Sequence, residues 1–199
     1  MKQPITVKIA LVIFRIESDV LCVYAPDGEI PSEIISQTAT LDEQVKEIFQ
    51  KNLGFSVGNN YVEQLYTICK IENEITIAYY VLLAENNKQQ LDGKNWKKVT
   101  SKNDPEKPII SYAVQRLRSK IEYTNVVYSL LPKSFTLSEL QKTYEIILGK
   151  KLDKRNFRKK ILSLKFLKPT EEKRVINARP ALLYSFTKRS PMMVKVFSL

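Results

Sequence analysis

The apolar residues of this chain change their spacing partway along. In the first half they cluster in short runs rich in branched side chains, and in the last part they recur every three or four positions. Ile5–Phe14 is rich in Ile and Val and predicts a strand. Arg15 to Asp19 is expected to turn the chain, so that Val20 to Ala25 pairs back as a hairpin, and Pro26-Asp-Gly28 reads as a further turn. Thr40-Leu-Asp-Glu43 has the form of a capping box. The helix it starts would bury Val45, Ile48 and Phe49 and stop at Gly54. Two more strands are expected near Val62–Lys70 and Ile75–Ala84, with Glu72-Asn-Glu74 between them. A polar loop from Asn86 to Gly93 follows, then a short strand from Trp96, a charged connector from Lys102 to Pro108 and a helix over Ile109–Glu122. This order predicts an α/β (α+β) sandwich, a mixed sheet packed against helices.

Beyond residue 122 the pattern is helical. Thr124 is expected to cap a short helix through Leu131, stopped by Pro132. Thr136-Leu-Ser-Glu139 is a second capping box, and Leu137, Leu140, Tyr144 and Ile147 follow at helical spacing up to Gly149. Asp153 can cap a third helix whose buried stripe is Phe157, Ile161 and Leu164. Lys168 to Arg174 reads as a polar turn, and Pro180–Phe186 as a strand. Three helices and a hairpin in this order are those of a winged helix-turn-helix. The expected division is a domain over 1–122 and a second over 123–199.

Charge changes that picture from a fold into a function. Net charge is +11, but residues up to Pro108 carry 12 Lys and Arg against 15 Asp and Glu, whereas Ile109 onward carries 20 against 6. A net +14 on about ninety residues attracts polyanions. On the third helix each residue advances about 100°. Arg155, Lys159 and Ser163 therefore oppose the apolar stripe, with Asn156 and Lys160 on one flank and Arg158 on the other. Arginine reads guanine and asparagine reads adenine through paired hydrogen bonds, and lysines hold phosphates. The expected DNA contacts are Lys154, Arg155, Asn156, Arg158, Lys159 and Lys160 on the helix, and Lys173, Arg174 and Arg179 in the wing. For each group the competing expectation is an ordinary solvated basic surface.

Other residue types narrow the chemistry. The chain has no histidine, which excludes histidine bases and histidine metal ligands. Cys22 and Cys69 lie far apart in strand-like stretches and are expected to be buried free thiols. No run of about 18 apolar residues and no signal-peptide pattern at the N-terminus is present, so a cytoplasmic location is expected. No cofactor is expected.

The segments Tyr112–Thr124, Leu130–Gln141, Leu152–Lys160 and Arg179–Phe186, above all Leu152-Asp-Lys-Arg-Asn-Phe-Arg158, resemble the C-terminal half of Nudix-related transcriptional regulators of the NrtR type over about eighty residues. The resemblance implies a Nudix-like ligand-sensing domain, a winged helix, a homodimer and a palindromic operator in double-stranded DNA. It also implies a small-molecule effector: a sugar, a sugar phosphate or a nucleotide-sugar such as ADP-ribose.

A working Nudix box reads G-x5-E-x7-R-E-U-x-E-E-x-G-U, with U aliphatic, and its carboxylates hold divalent metal at a pyrophosphate. With its last glycine on Gly54, Glu47 fills the arginine slot, Ile48 the first glutamate slot, and Lys51 and Asn52 the paired glutamate slots. Ala39 and Glu33 fall on the upstream glutamate and glycine. The remaining acids, Asp42, Glu43 and Glu47, are interspersed with Lys46 and Lys51. The expectation is therefore a helix without catalysis or metal, in a repressor-like bacterial regulator. A Nudix-type pyrophosphohydrolase with an appended nucleic-acid-binding domain is the alternative, and an RNA-binding or scaffold protein is a third reading.

Overall fold

The computed structural model describes residues 4–70, 73–83, 93–99, 107–176 and 179–196, except for the side chains of Lys70, Ile176 and Arg179. The expected loop over 86–93, most of the connector over 102–108 and the turn at Glu72 lie largely outside these residues.

Among the described residues eight strands and four α-helices follow one another as β1 (Thr6–Glu17), β2 (Val20–Tyr24), β3 (Ser32–Ile34), α1 (Leu41–Leu53), β4 (Tyr61–Lys70), β5 (Glu74–Leu82), β6 (Trp96–Lys98), α2 (Pro108–Tyr123), α3 (Leu137–Leu148), α4 (Lys154–Ser163), β7 (Leu167–Ile176) and β8 (Arg179–Phe186). The first sheet runs β4-β5-β1-β2-β6, with β3 beside β1. Among the described residues only the β1–β5 pair is parallel, so the sheet is mixed. β1 is its central strand and is buried on both faces from Ile9 to Phe14. Strand alternation sends Ile9, Leu11 and Ile13 toward α1, where they meet Val45, Ile48 and Phe49. Val12 and Phe14 point the other way, into the core with Leu117 and Ile121 of α2.

That second core does not stop at the sheet domain. It continues through Val126, Val127, Leu130 and Leu131 into Phe135, Leu140, Tyr144, Phe157 and Phe186 of the winged helix. Ser129 reinforces the junction: its hydroxyl accepts the Tyr61 amide at 2.9 Å and lies 3.4 Å from the Leu82 carbonyl. The C-terminal segment folds back onto the same place. The Val194 and Val196 amides donate to the Tyr123 and Glu122 carbonyls, each at 2.8 Å, and the fully buried Asn125 side chain accepts the Met192 amide at 2.7 Å.

Both capping boxes form as the sequence predicts. The Thr40 hydroxyl accepts the Glu43 amide and the Glu43 carboxylate accepts the Thr40 amide; Thr136 and Glu139 repeat the arrangement. Gly54 and Gly149 end their helices in the left-handed conformation, at φ 78° and 69°.

Four local expectations are corrected. β1 runs on through Glu17, and only Ser18 and Asp19 turn, because Arg15 is buried in the strand, ion-paired to Glu17 and stacked 4.0 Å over the Trp96 ring. Thr124 caps no following helix. Its hydroxyl donates to the Lys120 carbonyl at the end of α2, and the expected helix is a single 3-10 turn over Val126–Ser129. The polar stretch Lys168–Arg174 belongs to β7, since β8 supplies ladder partners that its composition does not advertise. Cys69 is exposed because β4 is an edge strand; Cys22 is buried as expected, and burial pushes its thiol pKa up.

A charged cluster ties α2 to the sheet. Glu63 of β4 accepts Lys120 at 2.6 Å, the Tyr80 hydroxyl at 2.6 Å, the Tyr61 hydroxyl at 2.9 Å and Arg116 at 3.2 Å. Burial opposes the charged form of Glu63, but the hydrogen bonds from Lys120, Tyr80 and Tyr61 outweigh it and hold the pKa below the ordinary glutamate value. A depressed folded pKa contributes stability above the unfolded value of about 4.3, and that stability is lost as pH falls through the folded value. Glu63→Ala leaves these donors unpaired and is expected to cost roughly 1–3 kcal/mol at neutral pH. Urea unfolding across pH should show the gap between variant and wild type closing in acid; a gap independent of pH would contradict the ionised role of Glu63.

Candidate nucleic-acid interface and sensor cavities

α3 and α4 form a helix-turn-helix whose turn is held by side chains. The left-handed Gly149 lets the chain reverse, and its amide donates to the Glu145 carbonyl at 2.9 Å. Glu145 Oε1 accepts the Leu152 amide at 2.9 Å, while Gln141 Nε2 donates to the Leu152 carbonyl at 2.9 Å. The Leu152 amide is the main cause of the lowered pKa of Glu145. Asp153 then caps α4, its Oδ1 accepting the Asn156 amide at 2.8 Å. Phe157 packs edge-on against Tyr144 with ring centroids 5.4 Å apart, and Ile161 is fully buried beside it. The apolar stripe of α4 is thus spent on α3.

The opposite face is open. Lys154, Arg155, Asn156 and Lys159 are all exposed, and Lys160 is half-buried. Arg158 is half-buried and donates to the Ser138 hydroxyl at 3.3 Å, so it also braces α4 against the first turn of α3. α4 contains five cations and no acid. Leu162 is a further residue on this face that the sequence reading passed over, being 47% exposed on a helix whose other large apolar side chains are covered. Seven residues after Arg155, it returns to within about 20° of it, which places an apolar group among the cations. The periodicity that found Arg155 and Lys159 contained this signal.

The wing is β7 paired with β8, joined by Phe135, which exchanges both backbone hydrogen bonds with Tyr184. Lys173 is exposed on β7. Arg174 is directed back to α3: it pairs with Glu139 Oε1 at 2.6 Å, on the carboxylate whose other oxygen closes the capping box. The side chain of Arg179 lies outside the described residues. β7 extends to Ile176, so Lys173 and Arg174 stand within the strand.

In the sheet domain Asp42, Glu43 and Glu47 are all exposed on α1, and Glu43 uses its carboxylate to cap the helix. Lys51, in a glutamate slot of the Nudix pattern, pairs with Glu33 at 2.5 Å. Among the described residues no three His, Cys, Asp or Glu side chains come together to hold a metal ion. Two cavities open into this domain. One, of about 390 Å³, lies between Lys8, Ser32, Thr76 and Lys107 on the α2 face. The other, of about 340 Å³, lies by Asp42, Lys46, Gln64 and Tyr79 on the α1 face. Both fall within the size range of small-molecule pockets.

Residues 127–186 match the family of NrtR DNA-binding winged helix domains. A stretch of 78 residues, 39% of the chain, is 41% identical to the ADPR responsive transcriptional repressor NtrR of Acinetobacter baylyi; it covers 31% of that protein, so the chain spans about a third of the length of the curated relative it matches. The fold is similar to that of NrtR from Shewanella oneidensis, solved in complex with a 27mer DNA, with a TM-score of 0.73 and 24% identity over 91% of this chain and 93% of the other. It is also similar to a MutT/nudix family protein from Enterococcus faecalis, with a TM-score of 0.70 and 17% identity over 94% and 89% of the two chains.

Proposed function

We propose that this chain, which has the NrtR fold of a Nudix-like sheet domain followed by an NrtR-type winged helix, is a transcriptional regulator that binds double-stranded DNA and answers to a small metabolite. The observation that carries the reading is α4. Its apolar stripe is docked on α3 while Arg155, Asn156 and Lys159 face solvent beside a wing, as a major-groove reading helix requires. The proposed DNA contacts are Lys154, Arg155, Asn156, Arg158, Lys159 and Lys160, with Lys173, Arg174 and Arg179 from the wing. Arg174 would have to leave Glu139 to reach DNA. The sensor part is residues 1–122 and the DNA-binding part 123–199.

The effector proposed for the sheet domain is a sugar, a sugar phosphate or a nucleotide-sugar. ADP-ribose is favoured by the name of the Acinetobacter relative. The sheet and the winged helix share one apolar core, so the proposed response is a change in how two protomers are arranged, which alters the separation of their α4 helices on a palindromic site. A cytoplasmic homodimer is the expected form.

Arg155→Ala is expected to cost roughly 1–3 kcal/mol per half-site and to relax base preference. Lys159→Ala should weaken specific and random duplex alike and lower the salt slope by about one. Phe157→Ala should lower stability by roughly 3–5 kcal/mol, because its ring is core. Operator and random-duplex titrations across a salt series check the first two and urea unfolding checks the third; an Arg155→Ala protein with unaltered affinity and preference would remove α4 as the reading helix.

Hydrolysis of ADP-ribose or a similar pyrophosphate with magnesium is expected to be absent. The glutamate slots hold Ile48, Lys51 and Asn52, and Glu43 serves as a helix cap. Turnover that depends on magnesium and disappears in Glu47→Gln would replace this reading with a hydrolase.

Dimerisation is tested by light scattering at micromolar concentration, with and without operator DNA. A monomer under both conditions counts against the palindromic mechanism.

A further inference from the structure

One crevice is neither on the reading face of α4 nor inside the sheet domain. It has a volume of about 830 Å³ and lies at the junction of the two halves, between the β1–β2 turn, the end of β6, α2, α3 and the turn that leads into α4. Its walls bring together Lys98, Arg118, Lys142, Lys150 and Lys151, five cations from four separate segments, against Asp19 and Glu145. The floor is apolar, with Leu21, Val99 and Ile146 among its residues.

The two acids are already committed. Asp19 pairs with Lys142 at 2.5 Å. Glu145 accepts Lys151 at 3.2 Å while its other oxygen holds the Leu152 amide. Lys98, Lys150 and Arg118 have no carboxylate partner among the described residues. Arg118 is half-buried and is fixed through its Nε, which donates to the Ile147 carbonyl at 2.9 Å. The rest of its guanidinium remains available beside Gly149, where an added Cβ would lie 3.5 Å from the Arg118 side-chain nitrogen. A positioned guanidinium flanked by unpaired lysines is suited to a phosphate-type anion. Like charges gathered without a counter-anion repel one another, and a multiply charged ligand relieves that repulsion.

We infer that this crevice is a binding site for a small polyanion of the phosphate type, held by Arg118, Lys98 and Lys150 and seated on the apolar floor. Cations that converge from four segments around apolar side chains favour a compact ligand over a DNA backbone, which runs along an extended surface. Such a ligand bridges the sheet domain and the helix-turn-helix. It touches the turn that positions α4 and competes with Asp19 for Lys142. The site is complete in the free protein, so its test does not depend on the DNA-reading function.

The probe is inorganic pyrophosphate, titrated by calorimetry into the full chain and into Lys98→Gln/Lys150→Gln, with Lys159→Gln as the control for diffuse charge. Both crevice lysines are exposed, so the double variant should fold, which its melting curve checks. Saturable one-to-one binding is expected, weakened about tenfold or more by the double variant and unchanged by Lys159→Gln. Absence of saturable binding overturns the proposal, as does equal weakening in all variants. If pyrophosphate fails to bind and the double variant instead loses affinity for random duplex with a smaller salt slope, the crevice serves DNA phosphates and the small-ligand site is likewise overturned.

Discussion

Burial of α2 between the sheet and the winged helix is the constraint on which the rest of the molecule depends. One side of that helix supplies Ala113, Leu117 and Ile121 to the core that contains Val12, Phe14 and Tyr80 of the sheet. The same core runs on to Leu140, Phe157 and Phe186. At either edge of this apolar contact, polar groups fix the register. Ser129 joins the 3-10 turn to β4 and β5, and Arg118 holds the end of α3. Interfaces between domains are commonly polar and yield to relative motion, whereas an apolar, hydrogen-bonded junction resists it. The orientation of α4 relative to the sheet is therefore part of the folded core.

The two halves use their charges differently. In the sheet domain several charged groups are engaged within the fold: Glu63 collects two tyrosines, Lys120 and Arg116, Glu43 closes a helix cap, and Arg15 lies buried over Trp96. In the winged helix three of the five acids, Glu139, Glu145 and Asp153, are occupied at helix starts and at the turn. That leaves much of the cationic surface without local neutralisation, which is what a polyanion requires. The same division accounts for the chemistry of α1. One of the two glutamates of α1, Glu43, is used in the helix cap and Lys51 pairs with Glu33, which leaves few carboxylates there for a metal.

Local signals were legible wherever the physics is local. Two threonine–glutamate capping boxes, the glycine stops at 54 and 149, the Asp153 cap and the 100° periodicity of α4 involve residues within a turn or two of one another. They determine helix starts, helix ends and the face of α4 that turns outward without reference to the rest of the chain. The same local reading placed β1, β2, β4, β5 and β6 to within a few residues. It failed at Lys168–Arg174, because a polar strand is made by its partner: β8 lies across from it, and no residue inside the segment states that. It failed at Arg15, whose burial depends on Trp96, eighty-one residues away in sequence. Cys69 became exposed because β4 falls at an edge of the sheet, a matter of strand order. Thus the sequence alone determined α1, α3, α4 and the cationic face of α4, since each rests on contacts a few residues long, and the order of strands and helices pointed to the mixed-sheet class. Only the tertiary structure decided that Arg174 braces α3, that Glu63 gathers its partners and that a crevice forms at the junction. Each of these brings together groups that are distant in the chain, and their proximity is set by packing.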